Sequence, residues 1–178
     1  MKLWMKQRLT IRLGLTLLVL LLASGCQPGP EPGRVEIRVR DHREAIADFK
    51  ELWLTFSLAG IHPAHQPRTE GWLELKPVLR ELNLTEYVDG REAVIVQAMV
   101  EATSYNAVRL VIERASGTLT TGQSVAVVVG FETVAVNFPV QSGRTTVLDL
   151  DLMVLDLSDH SEQGYELQLR TAAVARIE

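Results

Sequence analysis

The sequence predicts an all-β protein, an antiparallel β-sandwich of about seven to nine short strands with one or two short helices. Three observations lead there. Apolar residues alternate with polar ones in one segment after another beyond residue 33, which is the period of a half-buried strand. Gly, Asn and Ser punctuate those segments at short intervals. Only two segments could be helical.

Taken in order, "RVEIRVR" (34–40) sets Val35, Ile37 and Val39 on one face and charges on the other. "DHREAIADFKE" has the composition of one or two helical turns, with Asp41 placed as a cap. "ELWLTFSLAGI" returns to alternation, with Leu52, Leu54, Phe56 and Leu58 on one face and Trp53 opposite. "GWLELKP" sets Leu73 and Leu75 against Trp72, Glu74 and Lys76. Leu84 to Val88 suits a short helix, and Val94 to Val100 suits either a strand or a helix. "YNAVRLVIER" groups Val108, Leu110 and Ile112. "SVAVVVG" and "ETVAVNFPV" are β-branched runs joined through Gly130 and Phe131. "RTTVLDLDLMV" places Leu148, Leu150, Leu152 and Val154 on one face, and "YELQLRTAAVARI" closes the series. The outline is that of a prealbumin- or immunoglobulin-like sandwich.

The first 33 residues are of another kind. "MKLWMKQRLTIR" carries Lys2, Lys6, Arg8 and Arg12 and no acid. An apolar core, Leu13 to Ala23, and the small residues Ser24 and Gly25 lead to Cys26, the only cysteine. A basic start, an apolar core too short to span a bilayer comfortably and small residues before a cut are the marks of a secretory signal. The alternative is an uncleaved N-terminal anchor. "LLASGC" resembles the bacterial lipobox, although Ala23 stands where an aliphatic residue is commoner. That resemblance implies acylation of the Cys26 thiol and cleavage just before it. Two or more acyl chains hold a protein stably to a membrane where one does so only marginally. By resemblance to enterobacterial lipoprotein sorting rules, Gln27 after the cysteine, rather than Asp, implies the outer membrane in a cell that has one. The expected organisation is therefore a signal peptide over 1–25, a Pro/Gly spacer over 26–33 and one β-sandwich domain over 34–178.

Loss of residues 1–25 would leave 14 of the 18 basic residues against all 22 acids, a formal charge of −8. Such a balance excludes a nucleic-acid partner, which requires a basic stripe, and adhesion to anionic lipid by surface charge alone. With Cys26 blocked by lipid, the domain has no disulfide and no thiol chemistry.

At this point the order of several phrases becomes informative. "VEIRVRD…FKELWLTFSLAGIHP", "ATSYNAVRLVIE" with Tyr105, Val108, Arg109 and Leu110, "GRTTVLDLDL" with Gly143, Thr145, Thr146 and Leu148 to Asp151, and "GYELQLRTAAVARI" follow one another. Together they resemble a family of bacterial lipoproteins known as domain of unknown function 4382, over nearly all of 34–178. Asp41-His42-Arg43 departs from that family's usual D-A-P, and Ser104 lies where a glycine precedes its tyrosine strand. The resemblance implies a prealbumin-like β-sandwich on the outside of the cell membrane, and no established activity.

Candidate chemistry is sparse. "GTLTTGQS" (117–124) has the glycine spacing of a phosphate loop, but Gln123 replaces the lysine and a strand-like run follows, so it reads as a hairpin turn and not as a nucleotide site. His62 and His65 could share a metal but lack a third ligand, so "IHPAHQP" reads as an exposed loop. Asp149 and Asp151 share one strand face, with Asp156, Asp159 and His160 nearby. They are the candidates for an oxygen-rich calcium site or an acid–base pair, against the plainer reading of a solvated outer face. Trp53 and Trp72 are the candidates for stacking on a ligand such as a sugar ring, against burial under a covering element. The expectation is a lipid-anchored envelope protein without enzymatic activity or obligatory cofactor, with a ligand-binding, adhesion or structural role. The alternatives are an accessory subunit of an envelope assembly and an enzyme built on the Asp149/Asp151 face.

Overall fold

The computed structural model describes residues 31–159 and 164–178. The expected signal peptide, Cys26, most of the spacer and His160 lie outside the described residues. Among the described residues, ten strands and two short 3-10 helices follow one another. The strands are β1 (Gly33–Asp41), β2 (Phe49–Pro63), β3 (Leu73–Leu75), β4 (Glu81–Asn83), β5 (Ala93–Val100), β6 (Ser104–Leu119), β7 (Ser124–Val129), β8 (Thr133–Pro139), β9 (Thr145–Asp156) and β10 (Tyr165–Ile177). Both segments read as helical carry a single 3-10 turn, Ala45–Asp48 and Leu84–Glu86. The ambiguous run at 94–100 is strand.

All ten strands form one continuous sheet in the order β3-β2-β6-β7-β10-β9-β1-β5, with β4 on β2 and β8 on β6 as side branches. The sheet folds over itself at β7. Ser124 to Ala126 pair with β6, and Val127 to Val129 pair with β10. The opposite seam is bridged by the chain between β3 and β4, where Val78 N–H donates to Ile95 of β5 and Phe56 N–H of β2 donates to Arg80, each over 2.8 Å. The result is nearly a barrel.

The all-β class is as the alternation predicts, but the pairing is mixed and not purely antiparallel. β1 runs parallel to β9, and β7 runs parallel to β10. Alternation specifies which face of a strand is apolar and says nothing about its neighbours. The strands also exceed the expected number, because the three-residue β3 and β4 are too short to show a period.

The core fills the space between the two halves of the sheet. Val35, Ile37 and Val39 of β1 and Leu148, Leu150, Leu152 and Val154 of β9 meet Leu52, Leu54, Phe56 and Ile61 of β2 and Leu110 of β6, all fully buried. Full burial of side chains of this size is worth about 1.5–3 kcal/mol each before conformational entropy is charged against it. One phase error in the sequence reading has a clear cause. The register of β2 against β6 slips between Phe56 and Leu58, so the buried face passes from Phe56 to Ala59 and Ile61 and leaves Leu58 half-buried. A bulge of this kind turns the strand over locally.

The termini place the molecule relative to an anchor. Gly33, Thr145 and Glu178 lie at one end, where Thr145 and Glu178 exchange two backbone hydrogen bonds of 2.9 Å. β1 carries the chain from there to Asp41 at the other end.

Candidate functional site

On the outer face of β1, β9 and β10, charged residues stand side by side. The parallel register sets Asp149 beside Arg38 and Asp151 beside Arg40. Arg38 binds Glu36 at 2.5 Å and Glu92 at 2.8 Å, and Gln97 donates to Glu36 at 2.7 Å. Burial works to raise the Glu36 pKa, but the hydrogen bonds from Gln97 and Arg38 outweigh it and hold the carboxyl below its ordinary value. The guanidinium of Arg38 is held above its ordinary value, chiefly by its bond to Glu92. Asp149 is raised by burial and by the charge of Glu92.

Asp149 and Asp151 do share a face, but that face is not freely solvated as the plainer sequence reading had it. Asp151 is buried and Asp149 half-buried, because β9 is a central strand flanked by the long side chains of β1 and β10. Asp156 and Asp159 lie beyond the strand's covered part and are exposed. Among the described residues, no group of three or more His, Cys, Asp or Glu side chains has the arrangement of a metal site.

At the Asp41 end of this face lies an open cleft of about 460 Å³ lined by Arg40, Asp41, His42, Arg43, Asp89, Gly90, Asp151 and Arg170. Asp41 does not cap the Ala45–Asp48 turn, whose preceding residue is Glu44 with no side-chain cap bond. Its Oδ2 instead accepts from the Arg43 N–H at 2.8 Å and folds the chain back over the cleft. Burial, reinforced by the charge of Asp151, pushes the Asp41 pKa up to about 6. Of this constellation only Asp151 is a candidate for site chemistry in the sequence, where Asp41 reads as a helix cap. The others come from three loops and strands far apart in the chain, and no local signal joins them.

The histidines separate. His65 is exposed in the turn after β2, as expected of a loop. His62 is not exposed; it is fully buried, with Nδ1 2.9 Å from Asn106 Oδ1 and Nε2 at 3.0 and 2.9 Å from the carbonyl oxygens of Pro67 and Glu70. Carbonyls only accept, so Nε2 carries a proton and has no lone pair for a metal. The 117–124 stretch is the β6–β7 hairpin, closed by Leu119 N–H to Gln123 and Gly122 N–H to Leu119 at 2.8 Å.

The tryptophans separate as well. Trp72 precedes β3 and is half-buried, edge-on to His62 and 4.3 Å beneath the guanidinium of Arg109. Trp53, on the outer face of β2, is 44% exposed. Its indole N–H donates to Glu51 at 3.2 Å, and Thr118 donates to the other oxygen of Glu51 at 3.2 Å. A shallow depression of about 450 Å³ continues from the indole across Glu51, Ser116, Gly117, Thr118, Ser124, Val125 and Ala126. Bare strand backbone and small hydroxyl residues thus border one exposed aromatic ring.

Residues 32–168 match the family model described as Domain of unknown function (DUF4382). The chain belongs to this family. No curated protein and no solved structure matches it. Within this DUF4382 domain the Asp41 cleft lies at the end of β1 remote from Gly33, and Trp53 lies toward the same end on the other half of the sheet, beside Asn83 and Ser116.

Proposed function

We propose that the protein is a lipid-anchored component of the bacterial cell envelope, without catalytic activity, that holds a glycan on its Trp53 face. The basic and apolar prefix with Cys26 supports the anchor. Exposure of Trp53 beside Glu51, Ser116, Thr118 and Ser124 carries the binding part. An indole offers an apolar plate for the C–H face of a sugar ring, and hydroxyl and carboxylate groups at its border take the ring's hydroxyls. Desolvating an exposed ring of this size is favourable only if something covers it. The remoteness of Trp53 from Gly33 leaves the face open to a bulky polymer while the spacer stays at the membrane.

The test is retention of the purified full chain, in detergent micelles, on a panel of envelope and plant polysaccharides. Trp53→Ala should weaken retention by about tenfold or more, about 1.4 kcal/mol. Trp72→Ala should lower stability and leave retention unchanged. A panel on which the wild type is retained nowhere would refute the reading.

A further inference from the structure

The charge around Trp53 is as specific as the shape. Glu51 and Trp53 project from the outer face of β2, and the carboxylate lies at the edge of the exposed indole. Its Oε2 accepts the indole N–H at 3.2 Å, and its Oε1 accepts from Thr118 Oγ1 at 3.2 Å. A carboxylate offers about four acceptor sites, so each oxygen keeps a free lone pair. Among the described residues Glu51 takes part in no ion pair. The other residues bordering the depression, Ser116, Gly117, Thr118, Ser124, Val125 and Ala126, carry no charge. Arg114 lies beyond it, opposite Thr55, and Glu81 stands across Thr55 from that arginine.

One uncompensated negative charge beside an aromatic plate sorts sugars by sign. A uronate or a phosphate-bearing sugar would bring its anion against Glu51, with no cation in the depression to receive it. A neutral or N-acetylated sugar would stack on the indole and use Glu51 only as an acceptor. A sugar with a free amine gains twice, because its ammonium donates to the carboxylate and its charge is drawn to the electron-rich face of the indole. We infer that the glycan held at Trp53 is built of 2-amino-2-deoxy sugars with free amino groups, an inference that rests on the reading of Trp53 as a glycan platform. An equatorial ammonium projects from the rim of a pyranose, so on a ring stacked over the indole it overhangs the carboxylate at the indole's edge. An exposed ion pair alone is weak, and the aromatic plate beside it is what makes the site discriminate. The excess of acids over bases in the chain, 22 against 18, also draws a cationic polymer and repels an anionic one.

The experiment is titration calorimetry of the full chain in detergent micelles, at a mildly acidic pH that keeps the amines charged. The probes are short oligomers of glucosamine, of N-acetylglucosamine and of galacturonate, with oligolysine as a cation that has no sugar ring. The glucosamine oligomer should bind about fivefold or more tightly than the N-acetylated one. The galacturonate oligomer should not bind, and the preference for glucosamine should shrink as salt is raised. Glu51→Gln keeps an oxygen for the indole N–H and should bring the glucosamine and N-acetylated oligomers level, while Trp53→Ala should weaken both. Glu101→Gln removes an equal charge beyond Val100, at the Gly33 end, and should change neither. An N-acetylated or galacturonate oligomer bound as tightly as the glucosamine oligomer would overturn the inference and leave the glycan reading standing. Oligolysine bound as tightly would overturn it too, because the surface would then attract cations without reading a sugar. Binding of no oligomer at all would sink the inference together with the glycan reading.

Discussion

His62 Nδ1 lies 2.9 Å from Asn106 Oδ1, and the same ring reaches back with Nε2 to the carbonyls of Pro67 and Glu70. One buried imidazole thus ties β2 to β6 and pins the 64–72 loop. His62→Ala should cost about 1–3 kcal/mol, because it leaves Asn106 and two carbonyls without their partner. Urea unfolding would measure the loss. Trypsin should also cut after Arg68 faster in the variant, since that residue lies in the loop the imidazole holds. Unchanged cleavage would mean the loop is held by other contacts.

Asp41 makes the protein respond to mild acid in an unusual direction. Its carboxyl is raised from 3.8 to about 6 in the folded chain by burial and by Asp151. Between those values the folded chain holds a proton that the unfolded chain has released, so the Asp41 contribution to stability falls as pH rises through the window and is level above it. Solvent in the open cleft screens the effect, which should amount to about 1–2 kcal/mol. Asp41→Asn should remove this part of the slope. The quantity to follow is the difference between the two proteins' unfolding free energies from pH 4 to pH 7; a flat difference would contradict the assignment.

Gly117 is required for packing and not for a phosphate. A Cβ there would meet the backbone oxygen of Glu51 and come within 2.7 Å of Phe49 Cδ1. Gly117→Ala should therefore force β6 away from β2 and cost about 1–3 kcal/mol. Gly122, at φ 90° in the adjoining hairpin, has open space around it, so Gly122→Ala should cost only the backbone strain, about 1 kcal/mol. Thermal melts of the two variants would rank them.

Strands with one clean apolar face were legible in the sequence. β1 and the inner face of β9 appear in the structure as their alternation implies, because each lies in the middle of one half of the sheet with a full core on one side. The parallel pairing of β1 with β9 was not legible, since 103 residues of chain separate Asp41 from Thr145 and periodicity does not encode partners. The outward placement of Trp53 was legible from its position opposite Leu52 and Leu54. The Asp41 cleft was missed for the converse reason. Arg40, Asp89 and Arg170 look like ordinary solvated charges one at a time, and only the pairing of β1, β9 and β10 brings them together.

The aspartates of β9 carry a prediction about calcium. Such a site needs about six to eight oxygens. Asp149 and Asp151 instead stand beside Arg38 and Arg40, with Arg170 also near Asp151. Calcium and EDTA should therefore leave the melting temperature equal within error. A rise with calcium that Asp151→Asn abolishes would restore the cation reading.

The anchor can be tested together with the orientation it implies. If Cys26 is the lipidated N-terminus, only the short Pro/Gly spacer separates the bilayer from Gly33, and β1 then rises nine residues to Asp41, about 30 Å at strand spacing. Trp53 and the Asp41 cleft would face away from the membrane, within reach of polymers and solutes that cannot approach the lipid. Cys26→Ser should leave an unlipidated, uncleaved precursor that takes up no radiolabelled palmitate. In cells carrying the wild type, cysteines introduced at Asp89 should react with a bulky maleimide–polymer conjugate faster than cysteines introduced at Ser142, near the Gly33 end. Normal lipid labelling of Cys26→Ser would refute the anchor. Equal reactivity at the two positions would keep the anchor and refute the orientation, because the chain would then be lying along the membrane and not standing on it.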